Sequence, residues 1–402
     1  MKIKVGVIFG GETVEHEVSI ITAIQAINNM DKDKYDIIPI YISKDLVWYT
    51  GHMLTDIDVY KDFDSLKKYA KRVCLIKKDN RFVLQATHGI FKREIAEIDI
   101  AFPIVHGKGV EDGSIAGYLE MLGIPYVGPK VLGASIGQDK VVQKQVMESA
   151  SIPVPKYTWF YDTEYLSESE EILKNIKKLG YPVIVKPARL GSSVGIKVAK
   201  TEKEVDNCIN EAIKYDNKIV VEEMIDNLME VNCSVLGNYE FQETSAIDEM
   251  LTKNEFLTYE DKYLGGAKGK VKGSKASGKM SSSDRIIPAR ISKELEEEVK
   301  SLAKKTFTTL NLSGIARIDF LIDKKANKAY VNEPNTIPGS LAFYLWKAAG
   351  KEYKDLLDDA ITLSIKEFKN EHKKISSFES NILSNFNGSK GVKGLKGIKG
   401  KF

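Results

Sequence analysis

The sequence predicts a mixed α/β and α+β fold that begins with a doubly wound α/β domain. Two stretches, 3–18 and 98–123, each combine a buried strand, a glycine turn and a helix, which is the repeating unit of a doubly wound sheet. Further along, residues 313–345 contain two short apolar runs on either side of a polar turn, a pattern typical of an antiparallel hairpin. At 402 residues, the chain is long enough for two or three domains with sizeable cores.

The composition argues against several classes of protein. With 43% hydrophobic and 29% charged residues it is ordinary for a globular protein, and no apolar run predicts a membrane span or a signal peptide. The net charge of +3 is too small to indicate nucleic-acid binding. The three cysteines lack metal or redox spacing, which favours a reducing cytoplasm.

The first unit opens with a predicted strand at 3–9, a glycine pair and a helix from residue 18. The glycine turn leaves backbone amides to bind an anion or a substrate, but the GxGxxG spacing of dinucleotide sites is missing. Acids at the helix start, Glu15 among them, suit the helix dipole and equally suit a ligand, so both roles stay open. The second unit has His106 at its turn, and a short predicted strand at 124–128 closes it.

The middle of the chain contains a candidate phosphate-binding loop. A helix at 140–150 and a longer one ending near residue 180 precede a strand that ends at Lys186, and the glycine- and serine-rich segment 191–195 follows. Small residues there allow backbone N–H groups to approach phosphate oxygens closely. A plain hairpin turn is the alternative.

The next predicted strand carries two candidate nucleotide ligands. It spans 218–225, follows a helix predicted at 202–215, and places Glu222 and Glu223 near its end. These carboxylates suit an adenine amine and ribose hydroxyls, although acids at a strand end are more often simple surface residues.

Two segments are rich in lysine and glycine. Residues 262–284 hold six lysines and five glycines, which predicts a long loop, either a basic lid over a triphosphate or a disordered insertion.

Helices are predicted at 293–310 and 353–371, on either side of the hairpin. The tail at 376–402 predicts a disordered basic segment, with an anionic membrane surface or nucleic acid as weaker alternatives.

The hairpin brings four polar side chains together. Arg317 and Asp319 lie two residues apart on its first strand, as do Glu333 and Asn335 on its second, so each pair shares one face. Carboxylate and amide oxygens suit Mg²⁺, and the guanidinium suits a transferring phosphoryl group. The alternative is an edge hairpin with a solvated polar face.

Four motifs follow one another along the chain: GGETVEHEVS (10–19), HGKGVEDGSIAGYLEMLGIPYVG (106–128), VKPARLGSSVG (185–195) and ARIDF…NEPNTIPG (316–339). Their order and spacing resemble the D-alanine–D-alanine ligase family of the ATP-grasp superfamily, over residues 3–370. The resemblance implies an N-terminal α/β substrate domain followed by a two-part ATP-grasp fold. The domains it implies are an N-terminal domain at 1–136, a central lid domain at 137–235, a C-terminal catalytic domain at 236–375, and the tail at 376–402.

The resemblance also implies a role for each matching residue. It assigns ATP binding to Lys140, Lys186, Ser193, Glu222, Glu223, Met224, Glu230 and Lys262. It assigns two Mg²⁺ ions, with Mn²⁺ as an alternative, to Asp319, Glu333 and Asn335. It assigns substrate binding to Glu15, His106, Ser192, Gly339, Ser340 and Tyr344. It assigns catalysis to Glu15, Ser192, Lys262, Tyr263 and Arg317.

The implied activity is the ATP-dependent joining of two D-alanines into D-alanyl-D-alanine through an acyl phosphate, for peptidoglycan precursor synthesis. The resemblance implies small-molecule substrates, a cytoplasmic location and a homodimer, with no nucleic acid and no membrane span. One alternative is a related ligase with D-serine or another amino acid as its second substrate. Another is a catalytically silent nucleotide-binding protein, against which the intact Arg317 argues.

The sequence departs from the family pattern around Gly339. Pro334 stands where the family usually has an aliphatic residue or alanine, and SLAFYLW follows Gly339. Tyr344 therefore takes the place of a serine that helps to hold the second substrate's carboxylate in the family. These aromatic residues form either a core face or a reshaped second-substrate pocket. Retention of Tyr263 favours an amino-acid acceptor over a hydroxy acid.

Overall fold

The structure is a computed structural model that describes residues 2–89, 92–251 and 285–375. Lys262 and Tyr263, the lysine- and glycine-rich segment around them, and the predicted tail at 376–402 lie outside the described residues. Contacts between Cα atoms group residues 1–365 into one unit, which contains the described site residues. None of the described helices is long and apolar enough to cross a membrane.

The first sheet carries both N-terminal glycine turns. Its strands are β1 (Ile3–Gly10), β2 (Tyr35–Ile42), β3 (Trp48–Thr50), β4 (Lys71–Lys78), β5 (Arg81–Ala86), β6 (Glu94–Ile98) and β7 (Ile100–Val105). They lie in the order β6-β5-β4-β3-β2-β1-β7. β1 pairs in parallel with β2 and β7, whereas the pairs from β2–β3 to β5–β6 are antiparallel. Because β1 and β7 end side by side, the turns that follow them meet at one sheet edge.

Four helices accompany this sheet. They are α1 (His16–Asn29), α2 (Phe63–Tyr69), α3 (Ser114–Leu122) and α4 (Val131–Gln138), with short 3₁₀ turns at His52–Thr55 and Ile57–Lys61. The strand predicted at 124–128 is reduced to a single bridge between Ala101 and Tyr126. Pro125 lacks an N–H, and Gly128 turns the chain with φ of +119°, so a longer ladder cannot form.

The second sheet is antiparallel and carries the glycine- and serine-rich loop. Its strands are β8 (Tyr157–Tyr161), β9 (Val183–Pro187), β10 (Lys197–Ala199) and β11 (Lys218–Glu223), in the order β10-β9-β11-β8. The helices of this region are α5 (Lys140–Ser149), α6 (Asp162–Leu179) and α7 (Glu202–Ile213). Apolar residues such as Ile176, Ile209 and Val221 form its core.

The third sheet contains the predicted hairpin. Its strands are β12 (Leu228–Gly237), β13 (Gln242–Met250), β14 (Arg285–Ile286), β15 (Gly314–Asp323) and β16 (Lys328–Asn335), in the order β14-β13-β12-β15-β16. The helices of this region are α8 (Lys293–Thr309), α9 (Phe343–Ala348) and α10 (Tyr353–Glu371), and a 3₁₀ turn spans Gly339–Ala342. The hairpin and the helices predicted at 293–310 and 353–371 thus agree with the structure to within a residue or two. Pro334 is tolerated because β16 is an edge strand.

Side-chain alternation on β15 separates core from site. Ala316, Ile318 and Phe320 are buried in the same apolar cluster as Phe307 of α8. Arg317 and Asp319 therefore point to the opposite face of the sheet. The register shifts between Asp319 and Phe320, a bulge of the kind that re-aims side chains next to sites.

Candidate active site

One cleft collects residues from all three sheets. It encloses about 1120 Å³ of empty space, part of it open to solvent. Its lining includes these predicted site residues: Glu15, His106, Lys140, Ser192, Glu230, Arg317, Asp319, Glu333, Asn335, Gly339 and Tyr344. Other predicted site residues, namely Lys186, Ser193, Glu222, Glu223, Met224 and Ser340, are described but do not line it. The roles assigned to individual residues stay predictions; the structure gives their positions.

The hairpin forms one wall of the cleft. The strand register places Asp319 opposite Glu333 and Arg317 opposite Asn335. Arg317 donates from Nε to Asp319 Oδ1 at 2.6 Å and from Nη2 to Oδ2 at 2.7 Å, and Asn335 Nδ2 donates to Oδ2 at 2.9 Å. Burial opposes the charge of Arg317, but Asp319 beside it raises its pKa well above the ordinary value. This arginine stays cationic.

Lys140 faces the hairpin from the start of α5. Asp139 caps that helix by accepting hydrogen bonds from the N–H groups of Val141 and Val142. The cap fixes Lys140 so that its Nζ lies 3.1 Å from Glu333 Oε2 and donates to the Leu190 carbonyl at 2.9 Å. Burial works against its charge, but Glu333 raises the pKa of Lys140. An ammonium group is therefore held beside the hairpin carboxylates.

A buried group of one acid and two lysines lies beyond Lys140. Glu222 Oε2 is 2.8 Å from Lys186 Nζ, and Glu222 Oε1 is 3.4 Å from Lys144 Nζ. Burial raises the pKa of Glu222, but the two lysines outweigh it and lower the pKa overall. The group thus places two lysines against one carboxylate. Glu223 lies apart, bonded to Lys156, so neither acid is presented to the cleft.

Lys144 was missed by the sequence reasoning. Its side chain is fully buried, and burial lowers its pKa. The available signal was spacing, because Lys144 follows Lys140 by one helical turn and so shares its face.

Glu15 lies across the cleft from the hairpin, just before α1. Ser192 of the glycine- and serine-rich loop donates a hydrogen bond to Glu15 Oε1. A Cβ on Gly191 would lie 2.6 Å from Glu15 Oε2, so a larger residue there would push the Glu15 carboxylate out of its present position. The first and second sheets therefore meet at the Glu15 carboxylate.

Glu111 ties the His106 turn to the end of the hairpin, and it too was missed as a site residue. Its Oε2 accepts from Gly107 N at 2.8 Å, and its Oε1 accepts from Thr336 Oγ1 at 2.7 Å and Ile337 N at 3.0 Å. Burial, with the negative charge of Glu15, raises the pKa of Glu111 to about 7 despite these donors. The sequence did contain a signal for this residue, because Glu111 is an acid within the motif that begins at His106.

His106 is a neutral, buried imidazole at the same end. Burial lowers its pKa to about 4. Among the described residues, no partner bonds its buried Nε2 atom. The ring can therefore offer a hydrogen bond to a molecule in the cleft without adding charge.

The far end of the cleft contains Tyr344 and Arg285. The chain reaches Tyr344 through three successive left-handed residues, 340–342, with φ values of 50° to 52°. Trp346 is fully buried and donates from Nε1 to Ser234 Oγ at 2.9 Å, whereas Tyr344 lines the cleft. Trp346 thus belongs to the core and Tyr344 to the wall of the cleft, and a second-substrate pocket at Tyr344 stays a prediction. Ser340 is buried beneath, where its N–H donates to Thr22 Oγ1 at 3.0 Å.

Comparisons with known proteins agree with this geometry. A family model described as D-ala D-ala ligase N-terminus matches residues 4–129, and one described as D-ala D-ala ligase C-terminus matches residues 146–362.

The chain belongs to the D-alanine–D-alanine ligase family.

Relatives of this family resemble the chain over nearly its whole length. The D-alanine–D-alanine ligase of Thermosipho melanesiensis is 42% identical over 384 residues, which covers 95% of this chain and 98% of the relative. The D-alanine–D-alanine ligase of Coxiella burnetii superposes with a TM-score of 0.76 at 28% identity, covering 92% of this chain and 96% of that one. The VanG D-Ala:D-Ser ligase of Enterococcus faecalis gives 0.73 at 30% identity, covering 90% and 100%. The mixed α/β fold predicted for the chain, with its ATP-grasp part, is thereby confirmed.

Proposed function

We propose that this member of the D-alanine–D-alanine ligase family uses ATP to join two D-alanines into D-alanyl-D-alanine, for peptidoglycan precursor synthesis. The observation that carries the proposal is that Glu15 and Arg317, from opposite ends of the sequence, line one cleft. The Glu15 carboxylate suits the ammonium group of an amino acid, and Arg317 suits its carboxylate as it is phosphorylated. A single amino acid thus has partners for both of its charged ends.

The hairpin is a fitting site for Mg²⁺. Within the described part of the chain, no three His, Cys, Asp or Glu side chains cluster tightly enough to hold a metal ion alone. Asp319, Glu333 and Asn335 instead offer two carboxylates and one amide, which are oxygen ligands that leave room for water and phosphate. When bound, Mg²⁺ would neutralise phosphate charge.

The lysines are arranged for a nucleotide's phosphates. Lys140 lines the cleft, and the buried group of Lys144, Lys186 and Glu222, with two lysines to one acid, lies beside it. Preorganised cations of this kind stabilise phosphoryl transfer without reorganisation at the moment of reaction. We assign ATP to this side of the cleft, which Glu230 lines. The ATP-binding roles first predicted for Glu223, Met224 and Ser193, which do not line the cleft, are kept on the family resemblance alone.

The reaction begins on the carboxylate of the first D-alanine. Glu15 holds its ammonium group and Arg317 faces its carboxylate, one oxygen of which attacks the γ-phosphorus of ATP. The O–P bond to the γ-phosphate forms as the bond to ADP breaks, giving an acyl phosphate. Positioning and charge stabilisation accomplish this step, since no protein nucleophile is required.

The second D-alanine then completes the peptide. Its neutral amine attacks the acyl carbon and a C–N bond forms; the nitrogen then gives up one proton to the departing phosphate as the C–O bond to that phosphate breaks. The tetrahedral oxyanion that forms on the way needs a cationic partner, and we assign that role to Arg317. The overall products are the dipeptide, ADP and phosphate.

A ligase with another second amino acid is the second candidate. Tyr344 is the specific observation that favours it, because this side chain lines the cleft where family members have a serine. The VanG relative is itself described as a D-Ala:D-Ser ligase.

The remaining features of the proposal rest on the family. They are a cytoplasmic location, small-molecule partners without nucleic acid, a homodimer, two Mg²⁺ or Mn²⁺ ions, and the domain limits 1–136, 137–235 and 236–375. Lys262 and Tyr263 are assigned to the catalytic loop on the same ground.

Phosphate release with product mass detection tests the function. The purified protein receives ATP and Mg²⁺ with D-alanine, L-alanine, or D-alanine mixed with D-serine. We expect D-alanyl-D-alanine as the main product. A mixed D-Ala–D-Ser product would favour the second candidate, and ATP binding without turnover on any amino acid would contradict both.

A further inference from the structure

Arg285 on β14 is a cleft residue that neither the motifs nor the reaction above uses. It pairs through Nη1 with Asp248 Oδ2 at 2.9 Å, and its guanidinium carbon lies 4.0 Å from the centre of the Tyr344 ring. Its side chain is only 13% exposed, and that of Asp248 is fully buried. Ring and carboxylate together hold the guanidinium in one place.

A second arginine nearby shows what is particular about Arg285. Arg290 pairs with Glu249, the residue next to Asp248 on β13, through Nε and Oε2 at 2.8 Å. Yet the Arg290 side chain is 62% exposed and does not line the cleft. Neighbouring residues of a strand face opposite sides of a sheet, so the two arginines occupy opposite faces. Only Arg285 is directed to the site.

The sheet register connects Arg285 to the reacting residues. Asp248 pairs with Asn232, Asn232 with Asp319, and Asp319 with Glu333, so the partner of Arg285 lies in one cross-strand row with the hairpin acids. At about 4.8 Å per strand, β14 lies about 14 Å from β15. The pair with Asp248 directs the Arg285 side chain back toward the hairpin. An extended dipeptide of about 7 Å fits between the two positions.

The Tyr344 hydroxyl is the second unused group at this end. It is buried, and no partner among the described residues bonds it. A buried hydroxyl without a partner costs free energy, which a ligand that bonds it would recover. Arg285 and the ring of Tyr344 thus lie against each other in the wall of the cleft, and the Tyr344 hydroxyl is buried behind that wall.

We propose that Arg285, held by Asp248 and the Tyr344 ring, binds the α-carboxylate of the second amino acid. A guanidinium has five N–H donors, and the contact with Asp248 occupies one nitrogen, so a carboxylate can bind at the rest of the fork. The acceptor is therefore an amino acid with a free carboxylate. This inference rests on the proposed ligase function and adds the residue that selects the acceptor.

An acceptor without the carboxylate tests this assignment. D-alaninamide cannot be the donor, because it has no carboxylate to phosphorylate, but its amine can attack the acyl phosphate. The full-length protein receives ATP, Mg²⁺ and equal concentrations of D-alanine and D-alaninamide, and mass detection gives the ratio of the two peptides. We expect the wild type to form mainly D-alanyl-D-alanine. In Arg285→Gln the ratio shifts toward the amide product by about 10-fold or more, the worth of a charge-assisted hydrogen bond.

Three further variants make the result specific. Arg290→Gln removes the matched arginine on the other face, and its ratio stays at the wild-type value. Arg285→Lys keeps the charge and shifts the ratio less than Arg285→Gln, and it serves in its place where the glutamine variant does not fold. Tyr344→Leu removes the supporting ring and shifts the ratio in the same direction.

Two outcomes overturn different statements. The Arg285 assignment alone would be overturned if the peptide ratio of Arg285→Gln equalled that of Arg290→Gln. Where Arg285→Lys replaces the glutamine variant, the same comparison applies to it. Absence of both peptides from the wild-type protein would overturn the proposed function and this inference with it.

Discussion

The two ends of the cleft are built differently. At the Glu15 end, the carboxylates of Glu15 and Glu111 accept hydrogen bonds from Ser192, Gly107 and Thr336, which come from all three parts of the chain. At the Tyr344 end, a hydroxyl is buried without a partner in the described structure, and an arginine lies over the ring. The carboxylates of the first end are hydrogen-bonded within the protein, although the buried His106 Nε2 atom there has no partner among the described residues; at the second end it is the Tyr344 hydroxyl that has none. On the proposed assignment, the donor would meet carboxylates that are already held in place, and the acceptor would meet the arginine and the ring at the Tyr344 end.

The largest effect on activity is expected from Arg317→Gln, because both substrates depend on formation of the acyl phosphate. Arg317→Gln removes the cation that faces the transferring phosphoryl group, so kcat should fall by about 100- to 1000-fold. Steady-state phosphate release measures it, with Arg290→Gln as the exposed control. A fall confined to acceptor KM would instead assign Arg317 to the Tyr344 end and break the comparison.

Glu15→Gln should affect the donor alone. Loss of one charged partner of the ammonium group should raise the donor KM by about 10- to 100-fold. With saturating D-alaninamide as acceptor, the dependence of amide product on D-alanine reports donor binding. The peptide ratio that defines the acceptor end should stay at its wild-type value, and a shift in that ratio would show that the ends are not separate.

Glu111 makes the Glu15 end sensitive to pH. Its folded pKa is about 7 against an ordinary 4.5, so the folded state holds the proton more tightly than the unfolded state. Its contribution to stability is complete below pH 4.5 and is lost as the pH rises through 7, by roughly 3 kcal/mol at about 1.4 kcal/mol per pKa unit.

Glu111→Gln removes this titration. The difference in free energy of unfolding between the variant and the wild type should therefore change between pH 5 and pH 8 in favour of the variant. Denaturant unfolding at several pH values measures the change, and Glu298→Gln, at an exposed position of α8, is the control. A pH-independent difference would remove Glu111 from the explanation.

The smallest effect is expected from Tyr344→Phe. Deleting a buried hydroxyl that has no partner should leave the melting temperature unchanged or slightly higher. The acceptor KM should rise by about 3- to 10-fold if the hydroxyl bonds the second substrate. A lower melting temperature with an unchanged acceptor KM would mean that this end, too, is satisfied internally.

Local patterns predicted most of the elements and the hairpin part of the site. Alternation placed Arg317 and Asp319 on one face, and strand–glycine–helix patterns located the Glu15 and His106 turns. Only the resemblance to the family indicated that these turns contribute to the same site. Such patterns are short-range: they indicate which residues share one face or one end of a single element.

Contacts between strands that are distant in the sequence could not be predicted from these local patterns. Arg285 follows a long segment with no periodic pattern, so nothing in the sequence indicated that it would pair with Asp248 or cover Tyr344. Lys144 and Glu111 belong to recognised elements, but their importance comes from burial beside Glu222 and Thr336. The antiparallel strands that extend the first sheet were likewise not distinguished from a wholly parallel one, because strand direction depends on pairing.

The ion pairs of the cleft imply that nucleotide and metal bind cooperatively. Lys140 is paired with Glu333 and Arg317 with Asp319, so the two cations that face the phosphates are engaged by the two carboxylates assigned to Mg²⁺. If Asp319 and Glu333 hold Mg²⁺ as proposed, binding of the metal ion would break both ion pairs and leave Lys140 and Arg317 available to ATP. By thermodynamic reciprocity, ATP must then increase the affinity for Mg²⁺ by the same factor. Each of these ion pairs would thus be broken by one ligand to the benefit of the other.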